Sequence, residues 1–231
     1  MDASGSEYTN AQIDDYQGLR RRHFPWCPPL KLTVRARFSH PSRAGSTGLS
    51  GTAGFGFWND PFLMTERRVP TLPRALWFFY GSPPSDMKLD LKVAGGGWKA
   101  AAIDALRPVA LLLVPLALPL ALLMNLRPLY RVLWPPLQRA LNVQESAADV
   151  PMTEWHTYVI EWGMAYATLS IDGKPVLEGA PSPRGPLGFV MWLDNQYMIV
   201  KPWGRFGWGL LETPGRQWLE VDRLLIEPGT S

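Results

Sequence analysis

The chain has a single cysteine, Cys27, and only three histidines in 231 residues. One cysteine excludes an intrachain disulfide and is compatible with a reducing compartment. The histidines stand apart, with no Cys/His pair at ligand spacing, so no transition-metal site is expected and no cofactor is indicated. No loop is dense enough in Asp and Asn to announce calcium. Also missing is a phosphate-binding loop: "AGGGW" (94–98) lacks the following Lys-Ser/Thr and reads as a hinge. "GRFGWG" (204–209) has the glycine spacing of a loop edging a sheet. There is no serine nucleophile elbow and no repeat of fixed period. The N-terminus "MDASGSEYTNAQIDDYQG" has neither the basic nor the apolar region of a secretory signal, so a cytoplasmic location is the expectation. Net charge is +3 and the basic residues are scattered apart from "LRRRH" (19–23), which gives no nucleic-acid footprint.

What the chain does have is 23 Pro, 21 Gly and 11 Trp, values that imply many turns and an aromatic-rich surface or groove. Residues 1–29 are polar and then Pro-rich, and read as an arm leading into a single domain over 30–231. "KLTVRARFS" (31–39) alternates, with Leu32, Val34, Ala36 and Phe38 on one face. "TAGFGFWND", "RALWFFYGS" and "MKLDLKVAG" follow, and after an apolar interruption come "WHTYVIEWG", "YATLSIDGKPVLEG", "LGFVMWLDNQ" and "WLEVDRLLIEP". Asp172-Gly173 is a strong hairpin signal. Short strands separated by Pro and Gly predict an all-β fold, an antiparallel β-sandwich.

The interruption spans 96–150 and is expected to be helical. Nineteen residues between Arg107 and Arg127 carry no charge. A single membrane crossing would place the two sets of strands on opposite sides, where they could not pair. Two crossings need roughly 40 apolar residues, more than are present. Pro108, Pro115 and Pro119 further interrupt helical hydrogen bonding. The segment is therefore expected either to lie in one leaflet as a peripheral membrane contact or to fold over the protein as a lid. In the first case Leu112, Leu116, Leu120, Leu123, Tyr130 and Trp134 would touch lipid, with Arg127, Arg131 and Arg139 at the interface.

The stretch "EWHTYVIEWGMAYATLSIDGKPV" (154–176) is similar to the Trp/Phe-His-x-Tyr-x-x-x-Trp strand and Asp-Gly-Lys turn of laminarinase-type glycoside hydrolases of family 16, in the concanavalin A-like lectin/glucanase superfamily. "LGFVMWLDNQ" and "WLEVDRLLIEP" look like that family's later strands, and "KLTVRARFS" and "GFGFWND" match its early ones more loosely. The resemblance implies a concanavalin A-like jelly roll. It also implies carboxylates on alternate residues of one strand, because retaining hydrolysis needs an acid pair flanking the scissile bond. The strand at that place, "RALWFFYG", has none from Arg74 to Gly81. Family-16 hydrolysis is not expected.

Period two places Leu187, Phe189, Met191 and Leu193 inward and Trp192 and Asp194 opposite; Trp58 lies opposite Phe55 and Phe57. Trp77 and Phe79 share a face that lines either the groove or the core. The expected groove holds Trp58, Trp77, Phe79, Trp192 and Asp194, with Asn59, Asn195 and Tyr197 at its rim. His156 is expected to be a structural hydrogen-bonding residue. Three functions are open: a non-hydrolytic binding protein for an apolar or amphiphilic ligand; an isomerase- or cyclase-type enzyme with Asp194 or Glu161 as proton donor; and a lectin-like protein for a glycan-like ligand.

Overall fold

In "LKLTVRARF" every second side chain is apolar and buried, from Leu30 to Phe38, while the charged residues between them face outward. That two-residue period belongs to a strand covered on one side. Two other segments, "TAGFGFW" and "RALWFFYG", are buried nearly throughout. They belong to a sheet covered on both sides.

The computed structural model describes residues 1–5, 7–42, 48–61, 71–201 and 205–229. In chain order its strands are β1 (Asn10–Asp14), β2 (Leu30–Phe38), β3 (Thr52–Trp58), β4 (Arg74–Gly81), β5 (Asp86–Met87) and β6 (Gly97–Asp104). Helices α1 (Pro108–Leu113), α2 (Ala117–Leu123) and α3 (Arg127–Ala140) follow. Then come β7 (Val143–Ala147), β8 (His156–Trp162), β9 (Tyr166–Ile171), β10 (Lys174–Pro181), β11 (Gly188–Asp194), β12 (Gln196–Lys201), β13 (Arg205–Leu210) and β14 (Leu219–Pro228).

Two antiparallel sheets stack as a sandwich. One has six strands in the order β1-β11-β3-β4-β6-β7, the other five in the order β10-β9-β8-β2-β14. The core lies between them and is rich in rings: Phe55 meets Tyr158 at 5.1 Å and Phe57 meets Trp162 at 5.4 Å. Each such side chain stabilises by about 1.5–3 kcal/mol on burial. A small third sheet, β13-β12-β5, stands beside the outer face of the six-stranded one. It takes up most of "GRFGWG", which forms β13 from Arg205 onward rather than a loop; Gly204 lies outside the described residues.

The Asp-Gly hairpin joins β9 to β10, with φ of 51° at Asp172 and 75° at Gly173. Asp172 also reaches β8, accepting from Thr157 N at 2.8 Å and pairing with His156 Nδ1 at 2.6 Å. His156 Nε2 contacts the Pro151 carbonyl at 3.1 Å, which gives the ring a structural place under β8.

Two segment boundaries differ from the sequence expectation. The arm is partly sheet: β1 pairs with β11 from Asn10↔Asp194 to Asp14↔Val190. Its sequence, "NAQID", lacks apolar alternation because an edge strand with a wet face needs little. The interruption is also shorter than 96–150, because β6 and β7 lie inside that span and complete the six-stranded sheet. "GWKAAAID" has the composition of a helix, yet Ala100 and Ala102 pack into the core while Ala101 packs on the opposite face. Small residues suit a strand pressed from both sides.

The interruption proper is thus 105–142. Pro115 sits in a short 3-10 turn between α1 and α2, which leaves helices of 6 and 7 residues. Among the described residues no helix is long and apolar enough to cross a membrane. The segment is anchored by α3, whose Tyr130 and Trp134 are buried and stack on each other at 6.4 Å. Trp134 Nε1 donates to the Leu89 carbonyl at 3.2 Å. Replacing Trp134 by Ala should release the helices while sparing the sandwich. Limited trypsin digestion is expected to cut within 105–142 several-fold faster than in the parent chain, with the strand signature in circular dichroism retained; unchanged cleavage would contradict the anchor.

Candidate functional site

The outward face of the six-stranded sheet is built on a glycine floor. In "TAGFGFW", Phe55 and Phe57 point into the core, so Thr52, Gly54, Gly56 and Trp58 face the other way. A Cβ at Gly54 would stand 2.7 Å from Trp192 Cη2 and one at Gly56 2.6 Å from Trp77 Cα. The missing side chain at Gly54 lets the Trp192 indole lie close to the sheet, and the one at Gly56 leaves room for the Leu76 carbonyl and Trp77 Cα of β4. Trp77 is 5.8 Å from both Trp58 and Phe79 and 5.7 Å from Trp192. Four rings from three strands thereby form one panel.

The panel lines a cleft of about 80 Å³, with Met87 and Met198 on one side and Gln12, Thr52, Asp194 and Gln196 at the polar end. Ligand pockets that engulf their guests run to roughly 300–1,000 Å³. A cleft this small holds a ring face or an edge, and most of any ligand must lie across its mouth. Trp58 Nε1 is buried and has no hydrogen-bond partner among the described residues.

The polar end is a connected chain. Trp192 Nε1 donates to Thr52 Oγ1 at 3.0 Å, and Thr52 Oγ1 donates to Asp194 Oδ1 at 2.8 Å. The backbone N–H groups of Gln196 and Thr52 donate to the same oxygen at 3.0 and 3.3 Å. Burial raises the Asp194 carboxyl to about 6, against these bonds, which favour the anion. Tyr8 stands close enough that the Asp194 charge, after burial, raises its phenol as well.

Of the residues expected in the groove, Trp58, Trp77, Phe79, Trp192 and Asp194 come together. The pairing Gly56↔Trp77 beside Trp192↔Gly54 resolves the face of Trp77 in favour of the groove. Three expected rim residues serve other ends. Asn195 is fully buried and clamps the N-terminal segment, donating to Glu7 O at 2.8 Å and Leu211 O at 3.0 Å and accepting from Thr9 N at 2.9 Å. Asn59 bridges Leu72 O and Arg74 N. Tyr197 lays its ring over Gly209, so it packs within the third sheet. Glu161 is on β8 in the other sheet, half-exposed and 3.7 Å from Lys31, so it does not reach the groove.

The insertion also sorts differently from expectation. Leu112 is 77% exposed, and Leu116 and Leu123 are exposed too. Leu120 is partly buried against α3, while Tyr130 and Trp134 are buried anchors that cannot touch lipid in this arrangement. No residue of 105–142 lines the aromatic cleft, so among the described residues the insertion is not a lid on it.

Sequence reasoning missed several members. Thr52 was within reach, one step before Gly54 in the same alternation. Gln12 was hidden in the arm. Lys99 and Glu145 were hidden inside the supposed insertion, where they form a buried pair at 2.8 Å. Lys99 Nζ also donates to Met87 O, and Glu145 accepts from Leu89 N and Asp90 N. Burial raises the Glu145 carboxyl while Lys99 and those N–H groups draw it back. The pair fixes the loop after β5 beside Phe79; stripping one partner from such a pair costs about 3–5 kcal/mol.

No family model matches the chain, and no curated protein matches it. Solved structures similar to it include an endo-1,3-β-glucanase from Streptomyces sioyaensis, at 15% identity and TM-score 0.43, covering 90% of this chain and 68% of that one. Another is an immunostimulatory antigen and pseudo β-1,3-glucanase of Mycobacterium tuberculosis, at 10% identity and TM-score 0.43, covering 96% and 75%. A third is a non-specific endo-β-1,3(4)-glucanase of family GH16, at 13% identity and TM-score 0.40, covering 91% and 60%.

Two outcomes follow from the site's construction. Gly54→Ala should displace Trp192, because the new methyl meets both its ring and the Phe78 carbonyl. We expect a loss of about 1–3 kcal/mol and an altered near-ultraviolet circular dichroism spectrum; a spectrum identical to the parent's would refute the floor. The raised Asp194 carboxyl makes the folded state hold its proton longer than the unfolded chain does. Stability should therefore fall as pH rises from about 4 to about 6, by up to about 3 kcal/mol, and level off above. Asp194→Asn should lack that slope in urea unfolding measured across the range.

Proposed function

We propose that this chain is a binding protein that works at a membrane surface, its aromatic groove taking an amphiphile that carries a hydroxylated, glycan-like ring. The observation that carries the reading is the panel of Trp58, Trp77, Phe79 and Trp192 ending at the Thr52–Asp194 pair. Ring faces stack on indole, and hydroxyls find partners in Asp194, Gln12 and Gln196. Asp194 is the one carboxylate among the described residues that line the cleft, whereas glycoside hydrolysis by a retaining route needs two about 5–5.5 Å apart.

The membrane part rests on the insertion. Its exposed apolar side chains run from Val109 to Val132, and residues 105–142 carry four arginines and no acid. An apolar face this large, bordered by cations, suits one leaflet of a bilayer with anionic headgroups. The exposed lone Cys27 fits a cytoplasmic setting.

A second reading is favoured by Asp194 itself. A carboxyl raised to about 6 beside aromatic walls has the properties of a proton donor in an isomerase- or cyclase-type reaction. The two readings part on turnover: in the first, an amphiphile is returned unchanged.

The test is a fluorescence titration of the intact chain with an alkyl glucoside below its micelle concentration and with a soluble β-glucan oligosaccharide. The alkyl glucoside is expected to quench tryptophan emission saturably, and Trp192→Ala to lose at least ten-fold in affinity. Absence of a response to both compounds would remove the groove reading. Conversion of the ligand, lost in Asp194→Asn, would replace binding by catalysis.

A further inference from the structure

At the corner where α2 meets α3, the insertion does not close against the sandwich. A second cavity, of about 480 Å³, opens there between the loop after β5, the start of α3 and the β12–β13 hairpin. Five cations line it: Lys88, Arg127, Arg131, Lys201 and Arg205. They come from three segments of chain, so no single helix or loop explains their convergence. Lys201 is paired with Asp86. Among the described residues no carboxylate lies within ion-pair distance of Lys88, Arg127, Arg131 or Arg205.

The acids nearby have other partners. Asp90 accepts from Gln138 Nε2 at 2.8 Å and from Lys92 N at 2.7 Å, and Glu145 is held by Lys99. Together with Asp86 they act behind Tyr130, whose hydroxyl burial first, and then these charges, push up to about 12. The cavity is thus lined by these cations and by a neutral Tyr130 and, among the described residues, by no carboxylate. Four like charges gathered around a hollow repel one another unless an anion joins them. Two of the four are arginines one turn apart on α3, whose planar forks match the oxygens of a phosphate.

The remaining lining favours a lipid as the carrier of such a phosphate. Leu91 and Met124 line the same cavity, and Leu122, Leu123, Leu126 and Leu129, around the same corner, are exposed. A ligand filling this place meets cations and apolar side chains in one cavity, with exposed leucines nearby in the chain. We infer that the cavity bounded by Lys88, Arg127, Arg131 and Arg205 is a headgroup site for an anionic phospholipid, held while the leucines of α1 and α2 enter the leaflet. The inference rests on the membrane part of the proposed function and adds to it a lipid class and the residues that select it.

The experiment uses the full chain and two vesicle preparations, phosphatidylcholine alone and phosphatidylcholine with phosphatidylglycerol, read by co-sedimentation. The parent should prefer the anionic vesicles. Arg127→Gln combined with Arg131→Gln should lose roughly thirty-fold on those vesicles, about five-fold per charge, and keep its weaker binding to phosphatidylcholine. Leu112→Ser combined with Leu118→Ser, both exposed and free of core contacts, should weaken binding to either vesicle. Circular dichroism of both variants controls for folding. An arginine variant that keeps the parent's preference overturns the headgroup site while leaving docking intact. A parent that binds neither vesicle overturns docking and the headgroup site together, and leaves the aromatic groove to its own titration. If inorganic phosphate displaces the protein from anionic vesicles as effectively as added lipid does, the cavity takes free phosphate and the lipid assignment falls.

Discussion

A sheet that must be apolar on both faces governs this molecule. The strands β3, β4, β6 and β11 turn one set of side chains into the sandwich and the other set away from it, and both sets are water-avoiding. The sandwich partner covers only the first. The second has to be covered by what the sheet itself carries, and it is covered by a panel of rings, one of them the Trp192 indole lying over Gly54. The space a side chain at Gly54 would fill is taken by the Trp192 indole, and at Gly56 it is taken by the β4 backbone at Leu76 and Trp77. The third sheet and the loop after β5 close one side of that layer, and β1 closes the other.

This explains why the groove is shallow and why its polar end is concentrated. Rings packed at 5.7–6.0 Å from one another leave little room between them. The same packing excludes water around Asp194, so a carboxyl with three hydrogen bonds on one oxygen still holds a proton near pH 6. Desolvation outweighs hydrogen bonding here because the bonds all reach Oδ1, while the whole group has lost its water.

The insertion follows a different rule. Its prolines cut the apolar run into short helices, and short helices cannot each bury a face of their own. One longer helix is pinned by Tyr130 and Trp134, and the leucines ahead of it are left outside. The tie to the sandwich runs from Trp134 and Gln138 of α3 to Leu89 and Asp90, in a loop that the buried Lys99–Glu145 pair holds. A charge pair deep in the sheet thus sets where an apolar surface is presented.

The sequence by itself determined the sandwich, the hairpin at Asp172-Gly173, the inward set from Leu187 to Leu193 and the membership of Trp58, Trp192 and Asp194 in one face. Strand alternation and turn chemistry are local, and local rules can be read without knowing the partners. It could not place Asn195, Asn59, Tyr197 or Glu161, because a residue at a strand end is positioned by the loops and sheets that arrive from elsewhere. Nor could it see β1, β6 or β7: an edge strand needs no apolar period, and alanines squeezed between two layers look like a helix. Lys99 and Glu145 are 46 residues apart, and the cavity's cations are drawn from residues 88 to 205. Only the tertiary structure decided those meetings, since charges converge across such separations when sheet register fixes where each segment ends.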